Sequence, residues 1–234
     1  MEDYVLQNAN SIYWIVFITI MLLSWLVSSS LERKFKRYSQ VSLPLTGREV
    51  AEKMLRDNGI TDVRVTCIKG RLTDHYNPAD QTVNLSEAVY SQATVAAAAV
   101  AAHECGHAVQ HAYAYAPLKM RSALVPAVEF ASRWLTWVLL AGMLLIGVFP
   151  QILELGVALF ALTTLFSFVT LPVEINASKR AVDWLQEAGI TNSETTPMAT
   201  SALRSAAYTY VVAALSSLAT LVYYILILVG NRRN

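Results

Sequence analysis

His103-Glu104-Cys105-Gly106-His107 places two imidazoles four residues apart, with a carboxylate directly after the first. On an α-helix, positions i and i+4 share a face, so both rings can reach one ion. Glu104, at i+1, then stands beside that ion, where it can take a proton from a metal-activated water. Zinc suits such a site, because it accepts neutral imidazole, has no redox chemistry and tolerates a change of coordination number. One Zn2+ per chain is expected.

A catalytic zinc needs a third protein ligand and an open fourth position. His111 lies four residues beyond His107. Eight residues of helix put about 12 Å of rise between His103 and His111, too far for one ion. His111 therefore reads as an interfacial histidine or one that supports the ligands from behind. The spacing also misses the longer His-Glu-x-x-His-x-x-Gly-x-x-His pattern. His75 lies in an expected turn and has no helical partner. Glu174 is the better third ligand. It directly follows a long uncharged stretch, and a carboxylate at the inner end of a membrane span is costly unless it is paired or ligating. The competing reading is an interfacial carboxylate paired with Lys179 or Arg180. Ser178 lies one turn further along the same face, where its hydroxyl could orient an imidazole.

The elements that must position these residues follow from local patterns. Thr46-Gly47-Arg48-Glu49 is a capping box opening an amphipathic helix that stops at Gly59. Val63 to Ile68 alternates and is rich in β-branched residues, so it reads as a strand. Gln81 to Ser86 reads as a second strand, after a turn at Asn77-Pro78-Ala79-Asp80. The Ala-rich run from Ala93 to Tyr115 is a helix and carries the histidines. Pro117 and Pro126 suggest a break and then a kink. Gly189 ends a further helix, and Pro197 sits near the start of the last one.

The chain has 234 residues, 55% hydrophobic and only 15% charged, with a mean hydropathy of +0.41. A soluble domain is about 25% charged, so this one has too little polar surface to be wholly soluble, and disorder is excluded. Net charge is +1, and no basic stripe carries interleaved aromatics, so no nucleic-acid partner is expected. Two cysteines, Cys67 and Cys105, cannot build a disulfide framework. The apolar residues gather into four uncharged blocks: Ser11 to Ser30, Trp134 to Ile152, Leu155 to Val173, and Ser205 to Asn231. Twenty residues span about 30 Å of helix, the hydrocarbon thickness of a bilayer. The middle two blocks, joined by a short turn around Pro150 and Glu154, read as a helical hairpin. Glu2 and Asp3 precede the first block, the opposite of a signal peptide, so it reads as a retained anchor.

Orientation follows from the cations. Arg33, Lys34, Lys36 and Arg37 come directly after the first span. If that end is cytoplasmic, residues 31–133 and 174–204 lie inside and hold 16 of the 18 Lys and Arg, all but Arg232 and Arg233. His103, His107 and Glu174 then lie on the same side.

Several linked motifs resemble one family: Asp74-His75-Tyr76-Asn77-Pro78, Val83-Asn84-Leu85-Ser86, Ala101-Ala102-His103-Glu104-Cys105-Gly106-His107-Ala108-Val109-Gln110, and Leu171-Pro172-Val173-Glu174-Ile175-Asn176-Ala177-Ser178. Together they are similar to the YugP-like neutral zinc metallopeptidases of bacterial membranes, over nearly the whole chain. A more distant similarity is to the HtpX-like membrane zinc peptidases, in which a helix-borne glutamate supplies the third ligand. In that wider pattern an aspartate usually follows this glutamate by four residues, where this chain has Ser178. The resemblance implies a zinc-dependent endopeptidase of the bacterial inner membrane with its site facing the cytoplasm, acting on peptides or proteins. A homo-oligomer is compatible with it. The expected fold class is a mainly α integral membrane protein, with four transmembrane helices and a small α+β zincin-like cytoplasmic domain. Its expected segments are an anchor (1–31), the zincin-like region (32–133), the hairpin (134–173), a helix with the third ligand (174–204) and the fourth span (205–234).

In the expected mechanism Glu104 takes the water proton and passes it to the leaving amine. The oxyanion would need a second electrophile, for which Arg204, Tyr208 and Tyr210 are candidates, against a role as interfacial anchors. Val83, Asn84 and Leu85 could present a strand edge to an extended substrate. Two rival readings differ in class. An intramembrane protease of the site-2 type would need the motif inside a span and a distal Leu-Asp-Gly, which is absent. A zinc-stabilised, catalytically silent membrane scaffold would have no need of Glu104 and would fill the fourth zinc position.

Overall fold

A computed structural model describes residues 2–70 and 72–231, with side chains from residue 14 to residue 230 apart from Arg71. Arg232 and Arg233, the cations expected to close the last span, lie outside the described residues, as do the side chains of Glu2 and Asp3. In chain order the elements are α1 (Glu2–Tyr38), α2 (Gly47–Asp57), β1 (Arg64–Ile68), β2 (His75–Asn77), β3 (Thr82–Ser86), α3 (Glu87–Tyr90), α4 (Val95–Ala112), α5 (Ala116–Leu144), α6 (Pro150–Glu187) and α7 (Thr195–Asn231). Four of these helices, α1, α5, α6 and α7, are long and apolar enough to cross a membrane. The protein is a mainly α membrane protein with a small α+β domain.

The chain divides into two compact units. One comprises Met1–Leu26, Met120–Thr170 and Tyr210–Asn234. Within it, small residues let α5 and α6 approach closely, as in packed transmembrane helices. A Cβ on Gly142 would stand 2.6 Å from the Cα of Leu153, and one on Gly156 would meet Leu139 at 2.8 Å. Thr164 and Ser217 share a 2.7 Å hydrogen bond between α6 and α7. The turn of the hairpin falls at residues 145–149, so Pro150 opens α6 instead of sitting in the turn. At the first helical position proline forfeits no hydrogen bond. Pro117 likewise falls in the first turn of α5, which continues through Pro126. The break expected at Pro117 lies just before it, where Ala114 adopts a φ of 52°.

The other unit comprises Val27–Lys119 and Leu171–Thr209 and holds the motif helix. The capping box of α2 is present in both directions, Thr46 to Glu49 and back. Gly59, at φ 70°, terminates the helix in a left-handed cap, with Ile60 N–H reaching Leu55 O at 2.9 Å. Gly189 does the same for α6 at φ 68°. Val50, Ala51, Met54 and Leu55 of α2 pack with Val83 and Leu85 of β3, the alanines of α4, and Ala181 and Leu185 of α6 in one core. Helix α4 runs through its middle. From Val95 to Gln110 every residue but Val100 and His103 is buried, as a helix apolar on all sides must be.

The sheet corrects one expectation. Its strand order is β1-β3-β2, with β1 parallel and β2 antiparallel to β3. Val83, Asn84 and Leu85 therefore lie on the central strand, paired on both sides, and cannot offer an edge to a substrate. Val83 and Leu85 are fully buried, and Asn84 accepts a hydrogen bond from Thr66 at 2.6 Å across the sheet. The edge strand whose backbone reaches Glu104 of α4 is β2, in a stretch where the sequence predicts only a turn. A three-residue strand has too few positions for an alternation to show. Leu85→Ala should accordingly lower folding stability by about 2–5 kcal/mol in denaturant titration, with no effect on substrate KM. A raised KM at unchanged stability would restore β3 as a substrate strand.

Candidate metal centre

Glu174 meets the two histidines because α4 and α6 cross almost without a gap. A Cβ on Gly106 would stand 2.7 Å from the carbonyl oxygen of Ala177. Any larger residue there would force the helices apart. His103 and His107 flank Gly106 on α4, and Glu174 lies one turn before Ala177 on α6. The crossing therefore brings His103 Nε2 to 3.3 Å and His107 Nε2 to 3.5 Å from Glu174 Oε2. One ligand atom from each of the three residues lies within 4.8 Å of the others. The imidazole rings stand nearly perpendicular, at 84°, with centroids 4.8 Å apart.

The outer side of each ring is held. His103 Nδ1 lies 3.1 Å from Ser178 Oγ, and His107 Nδ1 lies 3.1 Å from Gln110 Oε1. Gln110 is wholly buried. Its amide nitrogen donates to Val173 O at 2.8 Å and to Asn176 Oδ1 at 3.0 Å, and Arg180 donates to the same Asn176 oxygen at 2.8 Å. This fixes the amide so that its oxygen faces His107, which then carries its proton on Nδ1. The lone pair of Nε2 is left directed at Glu174. Burial works against a charged His107, but the hydrogen bond that the doubly protonated ring would donate to Glu174, with the charges of Glu104 and Glu174, outweighs it and raises the pKa. The same negative field favours a cation between the three groups. Two imidazole nitrogens and one carboxylate oxygen, oriented from behind, make a donor set that fits zinc.

Glu104 is buried beside the cluster, and its Oε2 accepts the backbone N–H of Tyr76 at 3.1 Å. The Tyr76 hydroxyl meets His111 Nδ1 at 2.9 Å. Burial and the charges of Asp62 and Asp80 push this phenol above its usual pKa, so it keeps its hydrogen at neutral pH. His111 thus supports the edge strand and not a ligand, in agreement with the 12 Å rise that removes it from the ion. His75 opens β2, where its ring nitrogens lie near Thr73 O and Asn84 Nδ2. Cys105 points away from the cluster. Its thiol donates to Ala51 O at 3.6 Å, and burial pushes its pKa up. Cys67 is exposed on β1. Arg204 and Tyr208 are exposed on α7, and Tyr210 is 39% exposed. Sequence reasoning missed Gln110, Asn176 and Tyr76. Gln110 alone left a local trace, as an uncharged polar residue three positions after His107 on a helix otherwise lined with alanine.

A family model described as "Putative neutral zinc metallopeptidase" matches residues 13–229. Among curated proteins, the "Putative membrane protease YugP" of Bacillus subtilis (strain 168) is 39% identical over 221 residues, covering 93% of this chain and 97% of that protein. No solved structure matches the chain.

Two substitutions test the geometry without recourse to turnover. Gly106→Val should separate α4 from α6, lowering the melting temperature and abolishing zinc retention during dialysis. Gln110→Leu keeps the packing volume but frees the His107 ring, and should weaken zinc affinity about 10–100-fold in chelator competition. Zinc affinity unaltered in both would show that the crossing does not set the ligand positions.

Proposed function

The chain belongs to the "Putative neutral zinc metallopeptidase" family, and from that premise we propose that it is a membrane-embedded zinc endopeptidase. The observation that carries the reading is the convergence of His103 Nε2, His107 Nε2 and Glu174 Oε2, with the buried Glu104 carboxylate near enough to act electrostatically on His107. His103, His107 and Glu174 hold one zinc, and Ser178 and Gln110 keep the imidazoles turned toward it. When bound there, zinc acidifies a water and polarises a peptide carbonyl. Glu104 is the general base: it accepts the proton of the attacking water and returns it to the amine leaving group. Its neighbours suit that exchange, because the Tyr76 N–H holds one carboxylate oxygen and leaves the other for the proton. Arg204, on the part of α7 that belongs to the same unit as the site, is proposed as a donor to the developing oxyanion.

Substrates are peptides or unfolded proteins, and the site faces the cytoplasm of a bacterial cell. The orientation rests on the positive-inside bias, with 16 of 18 Lys and Arg on the same side as the histidines. The proposed layout follows from it: an anchor, a cytoplasmic region bearing the motif helix, a transmembrane hairpin, a returning helix with Glu174 and a last span.

Detergent-purified protein should cleave casein, lose that activity to a chelator and regain it with zinc. Glu104→Gln should reduce cleavage about a hundredfold or more at equal zinc content. Equal cleavage by both proteins would remove Glu104 from the mechanism. Sidedness has its own reporter, since Cys67 is exposed whereas Cys105 is buried. A membrane-impermeant thiol reagent should modify Cys67 in inverted vesicles and leave it unmodified in right-side-out cells. The opposite pattern would reverse the topology.

A further inference from the structure

Tyr76 grips α4 at two points that lie two helical turns apart. Glu104 and His111 are seven residues apart, close to two full turns and about 10 Å of rise, so they share one stripe of the helix. Tyr76 spans that stripe. Its backbone N–H donates to Glu104 Oε2 at 3.1 Å. Its hydroxyl hydrogen-bonds His111 Nδ1 at 2.9 Å, with the two rings 5.9 Å apart. The N–H is directed there by the strand register. Tyr76 stands opposite Val83, between the His75–Asn84 and Asn77–Thr82 pairs, and alternation in an antiparallel ladder turns its backbone groups to the free edge of β2.

The grip is separate from the supports of the ligand cluster. Ser178 holds His103 and Gln110 holds His107, whereas the two bonds of Tyr76 go to Glu104 and His111. We infer that Tyr76 and His111 form a clamp that positions the Glu104 carboxylate, with the tyrosine side chain laid along α4 as its lever. The inference rests on the proposal that Glu104 is the general base. A glutamate has three rotatable bonds, and proton transfer needs it within hydrogen-bond reach of the water. A displacement of about 1 Å can cost up to about a hundredfold in rate. With the hydroxyl anchored to His111, the edge strand and its N–H stay at one height above the helix. Tyr76 and His111 are positioning residues that act through Glu104.

Tyr76→Phe keeps the ring, the strand and the N–H, and deletes only the bond to His111. His111→Phe deletes the same bond from the other end, and His111→Gln retains a hydrogen-bonding tip. Each variant would be measured as full-length protein for kcat, KM, zinc affinity and melting temperature. Hydrogen exchange at the Tyr76 amide, read by fragmentation mass spectrometry, reports the clamp without any turnover. Tyr76→Phe and His111→Phe should each speed that exchange about tenfold and lower kcat about tenfold. KM, zinc affinity and melting temperature should match the unaltered protein. The double variant should be no worse than either single one, and His111→Gln should recover most of the loss. Unchanged exchange, unchanged kcat or additive losses would each overturn the clamp. If the unaltered protein cleaves no peptide at all, the peptidase reading falls, and the exchange rates alone decide whether the clamp exists.

Discussion

The near-contact of two helix backbones at Gly106 and Ala177 is the constraint on which the candidate centre depends. With 2.7 Å between a notional Cβ and the Ala177 carbonyl, only glycine lets α4 and α6 cross there. The candidate ligands found among the described residues are then within two turns of the crossing: His103 and His107 on one helix, Glu174 on the other. Their supports are equally close, Ser178 beside Ala177 and Gln110 one turn beyond Gly106. The price of this arrangement is a helix with almost no solvent-facing side. Helix α4 meets it with alanine, which adds little bulk and favours the helix, and with a core shared by α2, β3 and α6.

Burying two imidazoles and a carboxylate with their electron pairs converging is unfavourable unless protons or a cation come between them. The surroundings lean toward the cation. The Nδ1 atoms are occupied by Ser178 and Gln110, so the Nε2 atoms face inward. Both cysteines are elsewhere, Cys105 bonded to Ala51 O and Cys67 exposed on β1. A closed zinc site of the structural kind usually recruits such thiolates. Two imidazoles and a carboxylate with no thiolate among them fit the open kind of zinc site, in keeping with the family to which the chain belongs.

Much of this was legible in the sequence because it is local. Two histidines at i and i+4, the capping box of α2, the glycines at 59 and 189 and the four apolar blocks each depend on neighbours a few residues away. The place of Glu174 beside the histidines was legible for a different reason, since a carboxylate directly after an uncharged span demands a partner. What escaped depends on register and pairing between distant segments. Strand β2 has three residues and no periodicity, so its place at the sheet edge was invisible, and β3 was mistaken for the edge. Tyr76 acts on Glu104 through its backbone N–H, a group every residue but proline possesses. Asn176 becomes meaningful only once the crossing sets it against Gln110. Ser178, which stands where the wider pattern has an aspartate, does reach His103.

Two residues of α4 and one of α6 are proposed to form a single zinc site open to water. Zinc K-edge absorption on the zinc-loaded protein tests it most directly. Nitrogen and oxygen neighbours are expected at about 2.0–2.2 Å, with multiple scattering from two imidazoles and loss of one oxygen ligand in Glu174→Ala. A sulfur neighbour at about 2.3 Å, or a spectrum unaltered by that substitution, would contradict it.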